Sequence, residues 1–421
     1  MAEMKGDGVW VGIDWGSEWH QVCVIDSSCE VLLEKCVAHD GAALLELADE
    51  LVKLVDGDAK RLAIGIERPH GAVVETMLER GISVFSINPK QLDRFRDRHT
   101  VAGAKDDRRD AFVLADSLRT DAKSFRAVRL GEAELVMLRE LSRTYDELKG
   151  ERQALGNRLY AQLQRYFPQV MELGSVYDSR WLWLLLERYP TPAKARRVPL
   201  STLRSLLERF KIRRIDAEGA REILRREPLH VAPGVVEASS RHVLQLLERL
   251  RLVEKQQDSV AEEIEALLTK LTEPDEGKVE HRDAAIILSL PGVGPLTCAA
   301  MLSEAWEPLS RGDYQTLRKL SGAAPVTKRS GKQLTVSRRL ARNERLANAL
   351  FLWSRAAVQW DEPSRAHYRR LRATGCTHGR ALRGLGDRLL AVATSMLRSR
   401  TLYDSSRRRA SLTNDSVRGA A

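Results

Sequence analysis

Val9-Trp10-Val11-Gly12-Ile13-Asp14 is a short apolar run that stops on a carboxylate, and its surroundings decide the fold class. A Gly16-Ser17 turn separates it from a second β-rich run at 21–25, and residues 31–37 compose a third. Three such runs joined by short turns predict an antiparallel meander. Helical periodicity follows at 42–54, then a buried-type strand at 61–66 ending on Glu67. A helix at 71–80, a strand at 82–87 closed by Asn88-Pro89, and a helix at 105–118 complete the pattern. Strands giving way to alternating helix and strand predict an α/β domain over residues 8–125.

Beyond it the sequence reads as helical. Leu138, Leu141, Tyr145, Leu148, Leu155 and Leu159 keep a 3–4 spacing interrupted by Arg152. Val243, Leu246, Leu250, Val253, Gln257, Val260, Ile264, Leu267 and Leu271 keep it for four heptads, with Gln257 the one polar residue in the seam. At 1.5 Å per residue the second helix is roughly 40 Å long. The pair predicts an antiparallel coiled-coil arm, with an ordinary bundle as the alternative. Prolines 190, 192, 199, 228 and 233 between them suit a small cap of short helices. From Asp283 the chain reads as helical again, ending in a basic, Ser/Arg-rich tail from Ser406. The expected division is 1–128, 129–280, 281–405 and a disordered tail at 406–421, giving an α/β domain followed by all-α parts.

The 421 residues carry 68 Lys+Arg and 58 Asp+Glu, a net charge of +10. That sum hides an asymmetry. Residues 311–421 hold 24 basic and 7 acidic residues, a net of +17; residues 1–310 hold 44 and 51, a net of −7. A polyanion is drawn to the last quarter of the chain. No apolar run approaches the length of a membrane span, the N-terminus lacks a signal-peptide core, and five cysteines without a CxxC pair argue against a disulfide framework or zinc site. The expectation is a reduced, soluble, cytoplasmic protein.

Three constellations could carry chemistry. Asp14 and Glu67 end strands, and Asp107 and Asp110 lie three apart on one helix face. Each alone reads as a surface charge. Together, at the strand ends where ligands converge on an α/β sheet, they suit Mg²⁺ and metal-assisted phosphoryl transfer. Asp106 competes with Asp107 for the third position. The second constellation is Gly292-Val293-Gly294 with Thr297 opening the next helix. It fits the hairpin of a helix–hairpin–helix element holding a nucleic-acid backbone, or a plain connecting turn. The third is Ser330 followed by Gly331, among Lys328, Arg329, Lys332, Arg338 and Arg339. It is either a basic turn with a bystander serine or a nucleophile whose neighbours neutralise developing charge.

At these residues the sequence resembles the DEDD transposases of bacterial insertion sequences, which include the pilin-gene invertases. Val11-Gly12-Ile13-Asp14, Gly65-Ile66-Glu67 and the segment from Ala104 through Asp106-Asp107-Arg108-Arg109-Asp110-Ala111 look like the family's acidic motifs, with Asp106 where Thr is common. Leu290-Pro291-Gly292-Val293-Gly294-Pro295, Gly322-Ala323-Ala324-Pro325 and Tyr368-Arg369-Arg370-Leu371-Arg372 resemble its C-terminal domain, and Ser330-Gly331 falls where that domain carries its serine. The resemblance implies a RuvC-like, ribonuclease-H-type N-terminal domain with Asp14, Glu67, Asp107 and Asp110 holding Mg²⁺. It also implies DNA strand exchange through a transient phosphoserine at Ser330. Guidance by a structured bridge RNA, and homodimers pairing into tetramers on donor and target DNA, follow from the same likeness.

Other readings remain. A RuvC-like nuclease or junction resolvase using activated water needs the carboxylates but not Ser330. An actin-like ATPase or sugar kinase is suggested by Gly12-Ile13-Asp14-Trp15-Gly16-Ser17, yet no second phosphate loop or adenosine motif accompanies it. A non-catalytic DNA-bridging protein would need only the basic segment.

Overall fold

The computed structural model describes residues 8–99, 106–129, 131–273, 281–331 and 333–404. The chain divides into two compact units, 1–131 and 132–421. The expected tail at 406–421 lies outside the described residues, as do Ala104, Lys105 and Lys332.

In the first unit the strands are β1 (Val9–Asp14), β2 (Trp19–Ile25), β3 (Val31–Ala38), β4 (Leu62–Ile66), β5 (Ser83–Ser86) and β6 (Arg126–Ala127). They form one sheet in the order β3-β2-β1-β4-β5-β6. The predicted meander is present: β1 pairs antiparallel with β2, and β2 with β3. β1–β4 and β4–β5 are parallel, and β6 closes the edge antiparallel to β5. The helices are α1 (Gly41–Lys53), α2 (Ala72–Glu79), α3 (Pro89–His99) and α4 (Asp107–Asp121). Strand alternation sorts the core into two layers. Val9, Val11, Ile13, Leu62, Ile64 and Ile66 meet α1 and α2, whereas Trp10 and Ala63 share the other face with Leu114 and Leu118 of α4.

On that second face, β1 and β4 each place a glycine under α4, and the two are register partners, Gly12 against Gly65. A Cβ on Gly12 would sit 1.8 Å from the Ala111 carbonyl oxygen and 2.7 Å from the Ala115 nitrogen; one on Gly65 would lie 2.9 Å from the Leu114 carbonyl oxygen. The backbone of α4 therefore lies directly on the sheet.

Helix α3 was not anticipated from the sequence. Its apolar contacts come chiefly from Leu92 and Phe95, set among Lys90, Asp93, Arg94, Arg96, Asp97 and Arg98, so its stripe is too thin to see.

The second unit is built on two long helices, α5 (Ala133–Tyr166) and α10 (Val235–Thr272). They run antiparallel: Leu138 clusters with Ile264, Leu268 and Leu271 at one end, and Leu155, Leu159 and Leu163 with Val243, Leu246 and Leu250 at the other. The 38 residues of α10 extend about 57 Å, beyond the roughly 40 Å read from the seam. The two breaks in the seams answer each other, for the Arg152 guanidinium donates to the buried Gln257 Oε1 at 3.2 Å. Between the long helices lie α6 (Arg180–Arg188), α7 (Pro192–Ala195), α8 (Leu200–Arg209) and α9 (Ala217–Arg225). They pack a core around Trp181, Trp183 and Phe167.

The chain then forms α11 (Asp283–Leu288), α12 (Pro295–Ser310), α13 (Tyr314–Leu320), β7 (Val326–Ser330), β8 (Gln333–Ser337), α14 (Glu344–Trp360), α15 (Glu362–Ala373) and α16 (His378–Ser399). Their core is continuous with the base of α5 and α10. The expectation of an all-helical C-terminal part is corrected by β7 and β8, an antiparallel pair in which Ser330 faces Gln333. Beyond the half-buried Val326 the hairpin is exposed along both strands, so Leu334 and Val336 do not mark a buried face.

Gly12→Ala should cost ~3 kcal/mol or more of unfolding free energy, because the added methyl overlaps helix backbone that cannot yield. Gly150→Ala, in open space inside α5, should instead stabilise by about 0.5–1 kcal/mol. Urea denaturation of the two variants checks both signs.

Candidate functional site

Asp14 and Glu67 take their places from the β1–β4 register. Ile13 pairs with Ile66, and each acid is the next residue at the carboxyl end of its strand. Neighbouring strands are about 4.8 Å apart. Asp14 lies on the same face as Gly12, and Glu67 on that of Gly65, so both project toward α4. The residues that follow lock this pair: the Arg68 guanidinium lies 3.9 Å from the Trp15 ring centroid.

Asp107 and Asp110 occupy the first turn of α4, where the helix dipole favours negative charge. Asp106 precedes them as the N-cap, its side chain accepting from the Arg108 amide at 3.2 Å. Asp106 thus does the capping work that Thr also does well. Asp110 is buried and Asp107 exposed.

The four acids act on one another. Burial, and then the charges of Asp110, Asp107 and Glu67, push the Asp14 carboxyl up to about 6, with Arg96 pulling the other way. Arg96 of α3 is the group the sequence reading missed. Its guanidinium donates to both oxygens of Asp110, each at 2.6 Å, and to Asp93 Oδ1 at 2.7 Å, and lies 3.9 Å from Glu67 Oε1. A bidentate fork on a buried carboxylate is a strong contact. No three acids, histidines or cysteines among the described residues form a ready metal cage. One cationic side chain thus sits where the acids demand positive charge.

Ser330 is exposed at the last paired position of β7, beside Gly331 with φ of +57°. Strand alternation puts Ser330, Lys328 and Thr335 on one face of the hairpin, and Arg329, Leu334 and Val336 on the other. Leu334 and Val336 are 63% and 59% exposed. Arg338 follows β8, and the Arg339 Nε donates to the Ala324 carbonyl at 3.3 Å. In the other predicted turn, Gly292 has φ of +80°, and a Cβ there would meet the Ala357 nitrogen of α14 at 2.7 Å. Its freedom serves packing. Gly294 caps α12 with open space around it, and Thr297 is half-buried in that helix's first turn.

Comparison with known proteins gives two family matches. Residues 11–168 match the IS110-type DEDD transposases, and residues 284–369 match the family described as Transposase IS116/IS110/IS902. The mini-circle putative transposase for IS117 of Streptomyces coelicolor is 34% identical over 407 residues, 95% of this chain and 96% of that relative. This chain belongs to the IS116/IS110/IS902 transposase family. A putative transposase, y4uE, of Sinorhizobium fredii is 46% identical over 222 residues, 51% of this chain and 61% of the relative. The IS900 uncharacterized 42 kDa protein of Mycobacterium paratuberculosis is 28% identical over 404 residues, 94% of this chain and 97% of its own. Among the described residues of this transposase no helix is long and apolar enough to cross a membrane.

The raised Asp14 carboxyl has a signed consequence for the metal-free transposase. Its folded value lies above the ordinary 3.8, so the folded state holds the proton more tightly and stability falls as pH climbs from about 4 through about 6. A two-unit shift corresponds to about 3 kcal/mol, reduced to roughly 1 kcal/mol for a half-exposed group. Asp14→Asn should therefore be about 1 kcal/mol more stable than the parent at pH 7.5 without metal, the difference vanishing near pH 4. Denaturation at both pH values checks this, and a less stable variant at pH 7.5 contradicts it.

Proposed function

We propose that this protein is an insertion-sequence recombinase that cuts and rejoins DNA through a phosphoserine at Ser330, with Asp14, Glu67, Asp107 and Asp110 holding Mg²⁺. The observation that carries the proposal is the shared electrostatic environment of four carboxylates at the carboxyl ends of β1 and β4 and the start of α4. Such an all-oxygen donor set fits a hard divalent cation. When bound, the metal supplies Lewis-acid stabilisation of the phosphoryl oxygens and of the leaving oxygen. Asp14, Glu67, Asp107 and Asp110 would hold the metal, and Arg96, a planar fork beside them, would be placed to meet a phosphate oxygen.

Ser330 meets the demands on a nucleophile differently. It is exposed at the end of a strand, and its neighbour Gly331 leaves open space beside it. Its hydroxyl oxygen loses its proton to solvent and forms the new bond to phosphorus, while the strand's own ester oxygen departs with the electron pair and takes up a proton to become a free hydroxyl. The hydroxyl of the incoming strand reverses the step and regenerates the serine. Lys328 and Arg329 flank this chemistry with positive charge, and Lys332 is assigned the same role from sequence, whereas Arg338 and Arg339, at the foot of the hairpin, bind the nucleic acid away from the serine. Gly294 and Thr297, at the N-terminus of α12, hold DNA backbone in a helix–hairpin–helix manner, with Gly292 shaping the turn.

Residues 1–128 make the RuvC-like domain in this account, 129–280 the coiled-coil arm with its cap, and 281–405 the serine-bearing domain. The antiparallel seam of α5 and α10 supports the arm. A structured bridge RNA selects donor and target DNA, and homodimers assemble into tetramers around them.

Ser330→Ala should abolish a covalent protein–DNA adduct on denaturing gels while binding changes less than about threefold. An adduct that persists rules out the serine and favours activated water. Asp110→Asn should remove Mg²⁺-dependent cleavage, and unchanged cleavage overturns the metal assignment. RNA extracted from the purified protein and sequenced should be one discrete species from the gene's flank.

A further inference from the structure

A pocket of about 360 Å³ opens in the second unit beside the foot of the β7–β8 hairpin. Its charged lining is Arg338, Arg342, Arg383 and one acid, Glu344. Arg342 is held by that acid, donating from Nε and Nη2 to the two carboxylate oxygens at 3.1 and 2.9 Å. Its stem passes so close to Gly322 that a Cβ there would meet Arg342 Cδ at 2.5 Å, so the Gly322-Ala323-Ala324-Pro325 turn is shaped around this arginine. Three arginines thus line one space with one carboxylate, and Arg380 lies within electrostatic reach of Arg383. Burial, and then the like charges of Arg338, Arg342 and Arg380, pull the Arg383 guanidinium below the ordinary arginine range.

The helix beneath makes this arrangement costlier. α16 begins at His378, has no acid in its first turn and no side-chain bond from its N-cap Thr377. Gly379, in that first turn, lines the pocket together with Arg383 one turn further on. Positive side chains at a helix N-terminus oppose its dipole, and the free amides there accept an anion. Repelling arginines gathered at the positive end of a helix form a local conflict that an anion resolves.

We infer that this pocket is a binding site for a phosphodiester group of the nucleic-acid backbone, held by Arg338, Arg342 and Arg383 over the N-terminus of α16. The inference deepens the recombinase reading and rests on it: Arg338 leads directly out of β8, so the pocket anchors a strand on the stem of the hairpin that presents Ser330. The contact is to backbone and carries no base sequence. Arginine forks suit it better than lysines would.

The test measures binding of the full-length protein to a short DNA duplex and, separately, to an RNA hairpin, across a salt series. Arg383→Gln and Arg338→Gln should each flatten the plot of log affinity against log salt, by about 0.9 for duplex DNA. A change confined to the DNA arm or to the RNA arm identifies which strand the pocket holds. Unchanged slopes for both variants on both nucleic acids overturn the inference. Inorganic phosphate provides a readout independent of recombination. It should raise the melting temperature of the parent protein more than that of Arg383→Gln, and an equal rise in both also overturns the site. Loss of these effects with the Ser330 adduct intact strikes the pocket alone, whereas the effects without any adduct strike the serine reading alone.

Discussion

The Ala111 carbonyl oxygen lies 1.8 Å from where a Cβ on Gly12 would stand, and the first unit depends on that close approach. Two register-paired glycines remove the side chains that would hold α4 off the sheet. The helix then lies across β1 and β4 with its N-terminal turn at their carboxyl ends. Asp107 and Asp110 thereby come within electrostatic reach of Asp14, as does Glu67. Like charges so placed need a cation. Arg96 supplies it here, tying up both Asp110 oxygens. A side-chain cation in that position offsets the repulsion among the acids.

The second unit works by a different balance. Its long helices and C-terminal helices share a continuous apolar core, which leaves the β7–β8 hairpin standing free of it. A lone two-stranded hairpin is marginally stable in water. Leu334 and Val336 stand exposed on one of its faces, and Ser330 and Lys328 on the other. The net charge of +10 is the sum of two unlike parts: acids that must be neutralised before they can face phosphate, and a basic segment that draws phosphate in.

The acidic strand ends and the 3–4 seams were legible in the sequence because each is a local pattern, whereas the close approach of α4 over Gly12 and Gly65 needed the fold. Gln257 and Arg152 were visible as breaks in separate seams, but their hydrogen bond spans 105 positions and needed the fold. Helix α3 was illegible because it buries little beyond Leu92 and Phe95, so Arg96 looked like one more surface charge. The hairpin escaped because it is short and exposed, so the alternation of Leu334 and Val336 marks no buried face. The arginines around the pocket come from the loop after β8 and from α16, and only tertiary packing collects them.

The central claim is that the four acids form a cation site whose place Arg96 holds in the absence of metal. The most direct measurement is the anomalous scattering of Mn²⁺ in crystals of the protein with DNA. The account predicts a peak bounded by Asp14, Glu67, Asp107 and Asp110, with the Arg96 guanidinium turned away from Asp110. Cleaved DNA in the crystal, no peak at that position and Arg96 still bound to Asp110 would contradict it.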